Sequence, residues 1–229
     1  LSFKVFSTVM ARCNLYLFLS SATYLSLSGA MDAYYTADRH CLTDGPHFSL
    51  TFYITVSSLI GSIVGLIATS GCQALMRNWQ FRRLFWVGTV LKCSAALVDL
   101  AIVLRWNKSI GVNDHWAYML GHNIAETIVM QLDWIPAVVL TSKLCTSGHE
   151  ATVYALLAGF QNYGNAISSS IGTAVTTAAG VHANGDDSCD FHNLPQLILI
   201  SHVALPLLVL PLTFVLIPNA RMTDSIKHS

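Results

Sequence analysis

Apolar residues run along this chain in long unbroken windows, and polar and turn residues collect between them. Six windows approach the roughly 20 residues that a helix needs to cross a bilayer: 11–32, 50–70, 84–104, 116–141, 152–178 and 194–217. The breaks read TADRHCLTDGPH, QALMRNWQFRR, RWNKSIGVND, SKLCTSGHE and HANGDDSCDFHN. The windows are too long for strands and show no alternation, so each predicts a membrane-spanning helix. The pattern therefore predicts an all-α membrane protein, with residues 1–229 forming one six-span bundle without a soluble domain.

Composition agrees. Of 229 residues, 12 are Lys or Arg, 12 are Asp or Glu, and 53% are hydrophobic. The charged fraction of 10% compares with about 25% in soluble domains, and mean hydropathy is +0.54. Disorder, a coiled coil and a basic nucleic-acid binder are excluded, and the expected solvent is lipid. The chain starts at Leu1 rather than Met, which suggests a fragment of a longer polypeptide.

Loop charge sets the expected orientation. Lys4, Arg12, Arg77, Arg82, Arg83, Lys143, Arg221 and Lys227 fall on the side that holds both termini, against Arg39, Arg105 and Lys108 on the other. Both termini are expected in the cytoplasm. The opposite face is acidic, with Asp38, Asp44, Asp114, Asp186, Asp187 and Asp190. Cys41 and Cys189 share that face, where disulfides are permitted. A bonded pair and two unrelated loop cysteines both fit. Asn107-Lys108-Ser109 is formally a glycosylation sequon, but it lies too near the expected span end to be modified.

Charges at membrane depth are costly, about 2.5–3.5 kcal/mol each on insertion scales, and usually face a bundle interior or a water-filled cavity. Lys92 and Asp99 are seven residues apart, nearly two turns, and share a face of the third window. Opposite in sign, they are expected to lower one another's desolvation cost. His122, Glu126 and Asp133 fall within about 40° on the fourth. Asp133, near Pro136, also reads as a structural charge at a helix end. Ser21, Ser28 and Asp32 form a stripe on the first window, and Tyr154, Gln161, Asn165, Ser168 and Gly172 one on the fifth. Candidate path residues are thus Asp32, Lys92, Asp99, Arg105, Glu126, Asp133, Gln161 and Asn165, with interhelical hydrogen bonding as the competing reading. Arg105 is expected at the outer mouth, guiding substrate with its forked donors or anchoring the helix at the headgroups.

The remaining features are read as packing. Gly61 and Gly65, with Ser57 one turn earlier, allow close helix approach. Pro195, Pro206 and Pro211 are expected to bend or soften the last span. His122 and His202 stand singly and read as hydrogen-bonded packing residues rather than metal ligands. No nucleophile–base signature, phosphate loop or HExxH motif occurs, so no enzyme activity, cofactor or metal is expected.

Three stretches together resemble the folate–biopterin transporter family, a branch of the major facilitator superfamily. Residues 132–165 carry Trp134, Pro136, Val138, Leu140, Leu144, Cys145, Gly148, Glu150, Thr152 and Ala155-Leu156-Leu157 at the family's spacing. DLAIVLRWN at 99–107 and GPHFSLTFY at 45–53 are similar to two further family segments. Thr146, where the family often has Pro, and GAMDAYYT, where it commonly has an acidic residue before Gly-Met, are departures. The resemblance implies the C-terminal half of a twelve-helix facilitator, with an N-terminal six-span half in the same full-length chain. It implies transport of folate, biopterin or related pteridines by alternating access, with proton coupling through carboxylates such as Asp99 or Glu126; the plasma membrane is the expected location. An autonomous six-span scaffold or channel subunit, and a transport-inactive truncated copy, are the alternatives.

Overall fold

A computed structural model describes residues 8–145, 150–184 and 188–224. Lys4, Thr146, Gly148, Asp186, Asp187 and Lys227, used in the sequence reading, lie outside the described residues.

The fold is helical. The helices are α1 (Thr8–Thr23), α2 (Ser28–Thr36), α3 (Thr51–Met76), α4 (Phe81–Val103), α5 (Trp106–Ser109), α6 (Asp114–Leu144), α7 (Glu150–Ala178) and α8 (Leu194–Leu216). Two three-residue strands, β1 (His182–Asn184) and β2 (Ser188–Asp190), pair antiparallel between α7 and α8. Among the described residues four helices, α3, α4, α6 and α8, are long and apolar enough to cross a membrane.

The first window differs most from expectation. It is not one helix: the chain leaves helical geometry between Thr23 and Ser28 and re-enters as α2. Neighbouring α7 satisfies part of the freed backbone. Ser168 Oγ accepts the Ser26 N–H at 3.1 Å and donates to the Tyr24 carbonyl. A neighbouring hydroxyl that supplies partners in this way leaves fewer backbone groups unpaired where the helix breaks.

Of the three prolines expected to bend or soften the last span, Pro195 instead sits in the first turn of α8, and Pro206 and Pro211 coincide with departures from α geometry. Pro206 and Pro211 lack the amide that an α-helix requires. In α8, π-type turns at Leu199–Ala204 lead up to Pro206, and a tight 3₁₀ turn at Leu210–Leu212 contains Pro211. Pro136 is carried inside α6 without ending it.

Small residues set the closest helix contacts. Gly61 and Gly65 of α3 face Asn123, Thr127 and Gln131 of α6. Gly164 and Gly172 of α7 lie against the backbone of Phe18 and Ser26, where a Cβ would run into the carbonyl oxygens.

Three apolar clusters fill the bundle, the smallest being Ala68, Cys72, Met76, Leu84 and Ile135 between α3, α4 and α6. The first gathers Leu27, Met31, Tyr35, Phe48, Tyr118, Phe191 and Leu194. The second gathers Met10, Tyr16, Phe81, Phe85, Leu140, Leu144, Leu157 and Ile217. At the end of the bundle held by the second cluster, the Phe81 N–H donates to the Ala220 carbonyl and the Met222 N–H to that of Trp79. Arg82 Nε donates to the Ile217 carbonyl at 2.8 Å.

The opposite end is tied by charge and by a covalent bond. Cys41 and Cys189 form a disulfide with Cα atoms 5.1 Å apart, which settles the alternative left open by the sequence. The backbone N–H groups of Cys41 and His40 hold the Asp38 carboxylate below its usual range and fix that turn.

Candidate functional site

A cavity of about 260 Å³ lies where α1, α4, α6 and α7 converge. Leu17, Phe85 and Ala137 of the second apolar cluster wall one part of it, and Ala96 of the first another. Its polar lining comes from Ser20, Ser21 and Tyr24 on the α1 side, Lys92 and Asp99 on α4, Glu126 and Asp133 on α6, and Gln161 and Asn165 on α7. Helical periodicity put these side chains on the inward stripes of separate helices, and packing turned the stripes toward one another.

The charges pair across helices rather than along one. Lys92 Nζ lies 2.6 Å from Asp133 Oδ2, joining α4 to α6. The Lys92–Asp99 pairing expected from their shared face is thus replaced. Seven residues along a helix is a rise of about 10.5 Å, more than two side chains span comfortably, whereas Asp133 lies directly across the interface. Asp133 is accordingly a wall residue of the cavity, not only a helix-end charge. Lys92 Nζ also stands 5.1 Å from the centroid of the Tyr24 ring, a cation–π contact.

Asp99 instead meets a histidine. His122 Nδ1 is 2.6 Å from Asp99 Oδ1, and His122 Nε2 is 3.2 Å from Glu126 Oε2. The ring is held between two carboxylates and packs against Tyr35 and Tyr118. His122 sits within the π-type turns Ala117–Ile124, a local widening often found at functional positions. Desolvation makes carboxylates this deep costly unless paired, so the two cross-helix contacts hold the cavity's charge in place.

Of the eight residues expected from the sequence, Lys92, Asp99, Glu126, Asp133, Gln161 and Asn165 come together here. Asp32 does not. It is exposed on α2, and its Oδ1 accepts the Tyr53 hydroxyl at 2.6 Å.

Arg105 also lies elsewhere. It adopts a left-handed conformation, φ +62°, just after α4. Its guanidinium donates twice to Asp114, at 2.9 and 3.0 Å, and once to Asp44 at 3.3 Å. Lys108 joins Asp44 at 3.1 Å. Its hydrogen bond, with Arg105 nearby, holds Asp44 below the usual carboxylate range. Asn107, buried, commits its amide to Asp114 Oδ1 at 2.7 Å and to the Val112 carbonyl. The forked donors expected to greet substrate are spent on tying the loop after α4 to the start of α6.

The α7 stripe divides between the two readings the sequence allowed. Gln161 and Asn165 face the cavity, whereas Ser168 and Gly172 pack against the break after α1. Sequence reasoning missed Tyr24 and Trp134 as lining residues. It also left His122 as packing, although the His122–Glu126 spacing of four marks a shared face.

Comparison with known proteins adds the context. The model of the BT1 family matches residues 1–229. Over 156 residues the chain is 32% identical to the folate-biopterin transporter of Synechocystis sp., covering 68% of this chain and 30% of that protein. It is 30% identical over 209 residues to the probable folate-biopterin transporter 2 of Arabidopsis thaliana, covering 91% of this chain and 39% of the relative. It is 24% identical over 212 residues to folate transporter 2 of Plasmodium falciparum, covering 92% and 44%. The chain thus spans less than half the length of these relatives. No solved structure matches.

Proposed function

This chain belongs to the BT1 family, and on that premise we propose that it supplies the C-terminal, six-span half of a transporter for folate, biopterin or a related pteridine. The remaining half is expected as six N-terminal spans of the same full-length polypeptide. In the six-span reading α3, α4, α6 and α8 are joined by α7, whose 29 residues are ample for a crossing, and by the broken pair α1–α2. A helix interrupted beside a cavity is a recurring arrangement in transporters.

The observation that carries the reading is the ion-paired cavity between α1, α4, α6 and α7 in an otherwise apolar bundle. Charges at that depth mark solute pathways more often than packing. The substrate class is taken from the names of the relatives. Transport would proceed by alternating access, the two halves rocking about the cavity. Proton coupling would pass through Asp99 or Glu126, with His122 between them. We place the protein in the plasma membrane with both termini cytoplasmic, and Arg105 as a loop clamp rather than a substrate ligand. We assign transport rather than catalysis.

The test is uptake of labelled folate and biopterin by cells expressing the complete reading frame, beside cells expressing residues 1–229 alone. Saturable uptake is expected from the first and none above background from the second. No uptake of either compound by the complete protein at normal surface abundance overturns the transport reading. Robust uptake by residues 1–229 alone overturns the half-transporter reading.

A further inference from the structure

The three acids of α4 and α6 that wall the cavity are unequally committed. Asp133 gives Oδ2 to Lys92 at 2.6 Å, and Asp99 gives Oδ1 to His122 at 2.6 Å. Glu126 has one close neighbour, His122 Nε2 at 3.2 Å from Oε2, and among the described residues its Oε1 makes no hydrogen bond. Its side chain is also the most open of the three, 38% exposed against 28% for Asp133 and 10% for Asp99. A carboxylate offers about four lone-pair sites on its two oxygens, so the contact with His122 leaves both oxygens of Glu126 able to accept from a ligand. A carboxylate in that state is complementary to two parallel N–H donors.

The rest of the cavity suits a flat heteroaromatic ring. Phe85 and Trp134 bring aromatic rings to the lining, Tyr24 being already stacked on His202 at 4.4 Å with Lys92 beside it, and Gln161 and Asn165 supply amides for ring acceptors. The volume of about 260 Å³ falls just below the roughly 300–1,000 Å³ typical of sites for drug-sized ligands, so it fits a bicyclic head group rather than a long conjugate. Among pteridines, the 2-amino-4-oxo ring presents two adjacent donors, N3–H and the 2-amino group. A 2,4-dioxo ring turns a carbonyl oxygen toward the carboxylate in place of the amino group.

We infer that Glu126 is the specificity-determining residue of the cavity, accepting both donors of a 2-amino-4-oxo-pteridine and disfavouring the 2,4-dioxo analogue. The inference rests on the transport reading above and narrows it to one edge of the ring and one side chain. A site built to bond an N–H group rejects an analogue that lacks it by a large factor, because its polar groups are left unpaired.

The experiment is competition against labelled biopterin uptake by the full-length protein, with 6-methylpterin and 6-methyllumazine as competitors. Wild type is expected to be inhibited by the pterin at a concentration at least tenfold lower than by the lumazine. Glu126→Gln, which replaces one acceptor with a donor, is expected to bring the two within about threefold. Glu126→Asp keeps the carboxylate and should keep the preference with weaker affinity. This second variant decides the matter if Glu126→Gln fails to reach the surface or takes up no biopterin. Equal inhibition of wild type by the two competitors overturns the inference, as does an undiminished preference in Glu126→Gln or a lost one in Glu126→Asp at normal abundance. Failure of wild type to take up any pteridine is a separate result, which removes the transport reading itself.

Discussion

Lys92 and Asp133 form an ion pair of 2.6 Å between α4 and α6, with side chains 19% and 28% exposed. Removing one partner strands the other charge at membrane depth. Lys92→Met is expected to cost about 3 kcal/mol, the low end for breaking a buried pair because the cavity admits some water. Asp133→Leu should cost a similar amount. The double variant Lys92→Met/Asp133→Leu should recover most of that stability while uptake stays abolished. Thermal unfolding in detergent and uptake assays on all three check this. A double variant no more stable than either single one would show that the pair is not coupled.

Close approach of α7 to the break after α1 depends on glycine. Gly172→Ala places a methyl against the Ser26 carbonyl and should destabilise by about 1–3 kcal/mol, the usual cost of overpacking. Gly159 of the same helix has nothing within 4 Å of its missing Cβ, so Gly159→Ala should be neutral or stabilising by up to about 1 kcal/mol. The unfolding temperature should therefore fall for Gly172→Ala and hold or rise for Gly159→Ala.

Arg105 holds the loop after α4 by two bonds to Asp114 and one to Asp44. Arg105→Lys loses the fork but keeps the charge. It should lower stability by about 1 kcal/mol and leave the apparent affinity for substrate unchanged at normal surface abundance. A large rise in KM would instead make Arg105 a substrate ligand. The depressed pKa of Asp44 gives the pH sign. Its contacts are complete above the usual carboxylate range and are lost as pH falls through the lowered value. Amide exchange in residues 105–113 should accordingly rise only in acid.

The proposed orientation puts Ser109 outside and Thr223 inside, both exposed. An impermeant thiol reagent added to intact cells should label Ser109→Cys and not Thr223→Cys, and the reverse pattern would invert the topology. The Cys41–Cys189 bond closes a separation of 148 residues. Cys41→Ser should cost about 2–5 kcal/mol and remove a reductant-dependent shift in gel mobility.

The hydrophobic pattern by itself determined the class and most helix positions, because a bilayer demands long apolar runs whatever packs beside them. The segments at 50–70, 84–104, 116–141, 152–178 and 194–217 are all helical, and only their ends moved. Helical spacing also determined which side chains could share a stripe, and six of the eight candidates line one cavity for that reason. Spacing along one helix says nothing about what stands across from it. The exchange of Lys92–Asp99 for Lys92–Asp133 and Asp99–His122, the capture of Arg105 by Asp114, and the contacts of Asp32 with Tyr53 and of Tyr24 with Lys92 were decided by how separate helices meet and how the loops close. The break between Thr23 and Ser28 was invisible for the same reason. No proline or charge in Tyr24–Leu27 forbids a helix, and the hydroxyl of Ser168, some 140 residues away in sequence, makes the open backbone affordable there.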